Sequence, residues 1–195
     1  MREIAAFFNE AAHDEEHYPS SIDPRIYHVK LVVEHLGDIS NRRVADIGCG
    51  KGRFGRILKQ RFPASTVVAL DLATAMVKSA PADLERCAAS MTALPLASEV
   101  FDGAYATESL EHAVDIETAV AEMCRIVRPG GRIIVIDKNA EQWGKLATPS
   151  WETWFTRKQL ERLLRRHCRE VSSRYISYWE DVEPDGLFIA WLATK

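Results

Sequence analysis

Residues 44–55 read VADIGCGKGRFG, an apolar run that ends in an acid and meets a turn crowded with glycine. This stretch constrains the chain more than any other. A strand, a tight glycine turn and a helix N-terminus together let backbone N–H groups approach a ligand closely. Two patterns share these letters. Gly50, Gly52 and Gly55 spell G-x-G-x-x-G, which suits a dinucleotide pyrophosphate, whereas Asp46, Gly48, Gly50 and Gly52 spell an acid-first D-x-G-x-G-x-G. Charge separates them. A carboxylate at Asp46 would repel a pyrophosphate by roughly a few kcal/mol at an effective dielectric near 20, and would attract an ammonium or a sulfonium. Asp71 closes VVALD, 21 residues after Gly50, where an acid accepts from the hydroxyls of an adenosine ribose in either kind of ligand.

Elsewhere the element types alternate. Apolar or β-branched runs at Arg43–Ile47, Thr66–Leu70, Glu85–Ala88, Asp102–Ala106 and Arg132–Asp137 are each followed by a helical period or a loop, so a mainly parallel α/β sheet is expected. A helix is predicted over Ile116–Val127 with Asp115 as N-cap, closed by RPGG, and another over about Arg157–Arg166 with Thr156 and Gln159 at capping-box spacing. A helical period also covers Arg25–Leu36. Val171–Trp179 and Leu187–Thr194 read as a terminal antiparallel pair joined by EDVEPDG.

At 195 residues the chain suits one domain that buries about 70% of its unfolded surface. A net charge of -3 gives no general reason to seek nucleic acid. The four cysteines make no C-x-x-C pair, so the sequence suggests neither a metal site nor a disulfide framework, and reduced thiols in a cytoplasm are expected. No apolar run approaches the roughly 18 residues that cross a bilayer.

VADIGCGKG, VVALDLATAMV, ASMTALPL, FDGAYATESLEH and RIVRPGGRIIVID follow one another across residues 42–137, and in that order the chain resembles a class I S-adenosylmethionine-dependent methyltransferase. It is similar to the small-molecule group that includes the ubiquinone and menaquinone biosynthesis methyltransferases. The resemblance implies a Rossmann-like three-layer sandwich with a mainly parallel seven-stranded sheet and a C-terminal antiparallel hairpin. It implies S-adenosylmethionine as cofactor and S-adenosylhomocysteine as product. Asp46, Gly48, Cys49, Gly50 and Gly52 would form the loop around the methionine part, and Asp71 would hold the ribose. Leu72 and Met76 would pack near the adenine, and Thr107 would contact the cofactor. Ser90 stands where the family commonly has an acid that accepts from the adenine amino group, and Met91 follows as an adenine-packing residue or as core.

After the strand at Asp102–Ala106 come Glu108 and His112, the catalytic candidates. The ordinary pKa of histidine suits a general base, and the alternative is a ring that orients the loop. Glu108 is a base, a substrate anchor or an exposed acid. TESL differs from the D/N/S-P-P-Y/F motif of enzymes that methylate nucleic-acid base amines, which disfavours that substrate. Residues 1–40 are expected to form a helical cap, with Tyr18 and Arg25 as candidate substrate contacts. The aromatic insertion at 137–155 is expected near the substrate, with Trp143 and Trp151 as contacts, or else forms a small satellite core. The cluster Arg157, Lys158, Arg162, Arg165, Arg166, Arg169 and Arg174 reads as a solvated outer face rather than a nucleic-acid surface.

The function expected is methyl transfer from S-adenosylmethionine to an O, N or C atom of a small molecule with an aromatic or apolar body. The alternative is a cofactor-binding, non-catalytic or regulatory protein of the same fold. A nicotinamide-dependent reductase is disfavoured by Asp46.

Overall fold

The computed structural model describes residues 1–195 and contains one seven-stranded sheet. Its strands are β1 (Arg43–Ile47), β2 (Thr66–Asp71), β3 (Glu85–Ala88), β4 (Phe101–Thr107), β5 (Val127–Lys138), β6 (Glu170–Ile176) and β7 (Phe188–Thr194). The spatial order is β3-β2-β1-β4-β5-β7-β6. β7 runs antiparallel between β5 and β6, and the other pairings are parallel. The expected sheet and terminal hairpin are both present. The chain leaves β1 towards β2 and β3, then returns to the other side of β1 with β4. The crevice at the carboxyl ends of β1 and β4 is therefore a topological switch point, where open α/β sheets bind ligands.

The helices are α1 (Arg2–Ala11), α2 (Tyr27–Leu36), α3 (Arg53–Arg61), α4 (Thr74–Ser79), α5 (Ile116–Ile126) and α6 (Arg157–Leu164). Two apolar cores lie on opposite faces of the sheet, which is why β1 and β4 read as continuous apolar runs. α5 and α6 close the first core with Val120, Met123, Leu160 and Leu164, while α2 and α3 close the second with Leu31, Val32, Phe54 and Leu58. Asp115 caps α5 by accepting from Glu117 N–H and Thr118 N–H, and Thr156 with Gln159 forms the capping box of α6. α5 ends at Ile126. Val127 already belongs to β5, whose irregular pairing with β4 between Phe101 and Gly103 absorbs RPGG. The first strand of the hairpin stops at Ile176, short of Trp179, because 177–187 forms a connector of turns.

Three members of the arginine-rich face are engaged locally. Arg166 pairs with Glu117 at 2.8 Å, Arg165 donates to the Val171 carbonyl, and Arg157 donates to Ser173.

Candidate active site

The carboxyl ends of β1, β2, β4 and β5 open into a cavity of about 400 Å³, within the usual range for small-molecule sites. One half is the glycine loop. Gly48 has φ +72°, and a Cβ there would sit 2.4 Å from the Ser109 Cβ, so both the turn and the packing of the β4 loop require glycine. Gly50 has φ +53°, and a Cβ there would meet nothing within 4 Å, which leaves open space beside the backbone. Asp71 ties this loop to β2. Its Oδ2 accepts from Gly50 N–H at 2.8 Å and its Oδ1 from Ala73 N–H at 2.8 Å.

Gly48, Cys49, Gly50, Asp71, Leu72, Met76, Ser90, Met91 and Thr107 all line the cavity. The Ser90 hydroxyl is 2.8 Å from that of Thr92, so two hydroxyls occupy the place of the absent acid. Burial and the nearby Asp46 and Asp71 raise the Cys49 thiol well above its ordinary value, which removes it as a nucleophile.

Two residues expected at the cofactor do not line the cavity. Gly52, at the N-terminus of α3, packs against Pro81 and Ala80, where a Cβ would meet atoms 2.9 and 3.0 Å away. Asp46 lies beneath the loop, 2% exposed, with Oδ2 3.5 Å from where a Cβ on Gly55 would stand. Burial pushes its carboxyl up to about 7, against the pull of the neighbouring Tyr105 hydroxyl. The expectation of direct charge contact with a cation is therefore corrected. A strand of period two sends Asp46 to one face, while the backbone at Gly48 and Gly50 meets the cavity.

The second half of the cavity is walled by Phe7 and Phe8 of α1, Tyr18, Glu108, Glu111, His112, Lys138, Glu152 and Tyr178. Glu108 has φ +50°, an uncommon conformation for a residue with a side chain. It accepts from Tyr178 Oη at 3.2 Å and from Arg53 Nη2 at 3.4 Å. The His112 ring lies 4.9 Å from that of Phe8. One ring nitrogen is 3.6 Å from Glu111 Oε1 and the other 3.9 Å from Glu152 Oε2. Burial lowers the His112 pKa, and Glu111 and Glu152 oppose that shift.

Lys138 Nζ bridges Glu111 Oε1 at 2.5 Å and Glu152 Oε1 at 3.1 Å, and Trp154 Nε1–H donates to Glu152 Oε1 at 2.6 Å. Ligand atoms of Glu111, His112 and Glu152 lie within 4.8 Å of one another, a spacing that would suit a metal ion, but the lysine ammonium already stands between the carboxylates.

Of the substrate candidates, Tyr18 lines the cavity. Arg25 is 80% exposed and pairs with Asp23 at 2.6 Å, away from the site. Trp143 is exposed and rests edge-on against Trp154 at 5.1 Å, and Trp151 meets Phe7 edge-on at 5.2 Å without lining the cavity itself. The insertion meets the cavity through Ala147, Pro149 and Glu152 instead. Phe7, Phe8, Glu111, Lys138 and Glu152 were not legible as site residues. The one available signal was the position of Lys138 directly after a strand that ends on the site face.

Residues 45–135 match a family model described as a methyltransferase domain. The chain is 29% identical to demethylmenaquinone methyltransferase of Renibacterium salmoninarum over 75% of this chain and 63% of that protein. It is 29% identical to malonyl-[acyl-carrier protein] O-methyltransferase of Pseudescherichia vulneris over 91% of this chain and 68% of that protein. The matches to two further malonyl-[acyl-carrier protein] O-methyltransferases are shorter and span 38% and 50% of those proteins. A solved S-adenosylmethionine-dependent methyltransferase of Thermotoga maritima, described as a possible histamine N-methyltransferase, superposes with a TM-score of 0.74. It is 21% identical, over 97% of this chain and 99% of that one, which speaks for the fold alone.

Residues 45–135 thus carry a methyltransferase domain, and motif order and sheet topology give the chain the fold of class I S-adenosylmethionine-dependent methyltransferases. The open space beside Gly50 and the Asp71 carboxyl on the cavity wall leave room for the cofactor of that class, S-adenosylmethionine.

Proposed function

We propose that the protein transfers a methyl group from S-adenosylmethionine to an O, N or C atom of a small molecule whose body is aromatic or apolar. One observation carries this reading: a single cavity joins the glycine loop and Asp71 to an aromatic-walled half that contains His112 and Glu108.

Gly48, Cys49, Gly50 and Thr107 would hold the methionine part of the cofactor, Asp71 the ribose, and Leu72, Met76, Ser90 and Met91 the adenine. Bound there, S-adenosylmethionine supplies an electrophilic methyl on a sulfonium. The chain's own residues hold the acceptor in line with that methyl and exclude water, and positioning of this kind can contribute much of the rate. Phe7, Phe8 and Tyr18 form the apolar wall. His112, uncharged at neutral pH through burial, takes a proton from an acceptor that carries one, and the Glu152 carboxylate beside its ring favours the imidazolium. Glu108, held by Arg53 and Tyr178, serves as anchor beside it. The pairing within the arginine-rich face supports a small-molecule rather than a nucleic-acid substrate. All four cysteines are free thiols, which suits a cytoplasmic location. No helix is long and apolar enough to cross a membrane.

The test is a labelled-methyl transfer assay over fractionated metabolites, run beside calorimetry with S-adenosylhomocysteine. Transfer to a small molecule is expected. S-adenosylhomocysteine binding without any transfer would favour a non-catalytic protein, and failure to bind it would overturn the reading.

A further inference from the structure

The acceptor half of the cavity is charged in one sense. Four carboxyl groups, Glu108, Glu111, Asp137 and Glu152, surround His112 or its immediate neighbours, and two fixed cations, Arg53 and Lys138, oppose them. The phenols of Tyr18 and Tyr178 also line the cavity, as do His17, paired with Asp14, and Lys51, paired with Glu15. Arg53 is taken up by Glu108, so Lys138 alone answers three carboxyls. Glu111 shows the deficit most plainly. Its side chain lines the cavity, is 1% exposed, and leaves Oε2 without a partner. Asp137, wholly buried, accepts from Glu111 N–H at 3.2 Å and places its charge beside the Glu111 carboxyl. Burial and Asp137 push Glu111 up to about 10, so at neutral pH a proton holds the place of a second cation.

We propose that the methyl acceptor is an amine, which enters as its ammonium and is held at Glu111, Glu152 and His112. This rests on the methyltransferase reading above and narrows it. The ammonium replaces the proton of Glu111, which goes to solvent, while Phe7, Phe8 and Tyr18 seat the apolar remainder and offer ring faces to the cation.

The reaction then balances as follows. One N–H proton of the ammonium passes to the His112 ring, and the freed lone pair forms the new N–C bond as the methyl's bond to sulfur breaks. The electron pair of that bond stays on sulfur as a thioether, and positive charge appears on nitrogen. His112 returns its proton to solvent. Carboxylates preplaced around the nitrogen favour that charge as it develops. A hydroxyl acceptor would have to become an oxyanion among the same carboxylates, which oppose it.

Calorimetry on protein loaded with S-adenosylhomocysteine tests this directly. Tyramine and tryptamine are compared with 4-propylphenol and 3-propylindole, which keep the shape and lose the charge. At least one amine is expected to bind about tenfold or more tighter than its neutral counterpart. In buffers of differing ionisation enthalpy, binding at pH 7.5 should release about one proton. Separate Glu111→Gln and Glu152→Gln changes should each weaken the amine about tenfold or more, and Glu111→Gln should abolish the proton release.

Turnover of tyramine, which offers both an amine and a phenol, should give N-methyltyramine by mass spectrometry. Equal or tighter binding of the neutral compounds, no binding of either amine, or methylation at the phenol overturns the proposal. So does Mn²⁺ alone binding at the cluster and being lost in Glu111→Gln. Failure of S-adenosylhomocysteine to bind would instead overturn the methyltransferase reading.

Discussion

Asp46 shows how burial changes what a charged residue does. Its carboxyl ordinarily titrates near 4 and is raised to about 7 in the folded protein, so between those values the folded state holds more protons than the unfolded one. The stability this proton provides is complete below pH 4 and is lost as pH rises through 7. Asp46→Asn should therefore flatten the fall in stability between pH 5 and pH 8. At pH 8 it should raise unfolding free energy by about 1–3 kcal/mol, read by urea denaturation at both values.

Burial raises the Asp71 carboxyl as well, but backbone N–H groups at Gly50 and Ala73 oppose that shift and hold it at the cavity wall. Asp71→Ala should weaken S-adenosylhomocysteine by about 10- to 100-fold in calorimetry, because it removes a charged acceptor and also releases the loop. For His112, burial lowers the pKa, so the acid limb of kcat/KM should fall below pH 6.5. His112→Asn should cost about 10²- to 10³-fold in kcat at unchanged S-adenosylhomocysteine affinity. An unaltered pH profile in that variant would assign the ring to packing against Phe8.

At the scale of elements, the glycine loop and α1 divide the labour. The loop is fixed by its fit to the segment after β4, and Gly48→Ala would force a Cβ into Ser109 at a left-handed φ. A loss of about 1–3 kcal/mol in stability together with lost S-adenosylhomocysteine binding is expected by thermal unfolding and calorimetry. α1 covers the other half with Phe7 and Phe8 and is tied down through Asn9, whose Oδ1 accepts from Ala75 N–H at 2.8 Å. Lys51, fully buried, reaches Glu15 at 2.7 Å just beyond the helix. Phe8→Ala should raise KM for the acceptor more than it lowers kcat, since it removes wall rather than chemistry.

Helix and strand positions followed the sequence closely wherever period and capping agreed, as at Asp115 and Thr156. α1 was the element least legible. Its helical pattern is short, and what holds it is contact with α4 and with the cavity rim rather than its own signals.

In the molecule as a whole, the switch between β1 and β4 places the loop and the His112 segment in one crevice, so a ligand there should stabilise the entire fold. At about 100 times its Kd, S-adenosylhomocysteine should add about 2.7 kcal/mol, a rise in Tm of roughly 5–10 °C by scanning calorimetry. The sequence by itself determined the α/β order, the glycine loop with Asp71 and the LEH segment. Each of these rests on local rules: turn conformation, strand period and the alternation that forces a parallel sheet.

Only the tertiary structure decided which side chains meet. It buried Asp46 under the loop, put Trp151 behind Phe7, and left Trp143 and Arg25 in solvent. It also brought Glu111, Lys138 and Glu152 together from three separate segments. The physical reason is that a charge acts through the groups and the dielectric around it, and those are set by neighbours that lie far away in the chain.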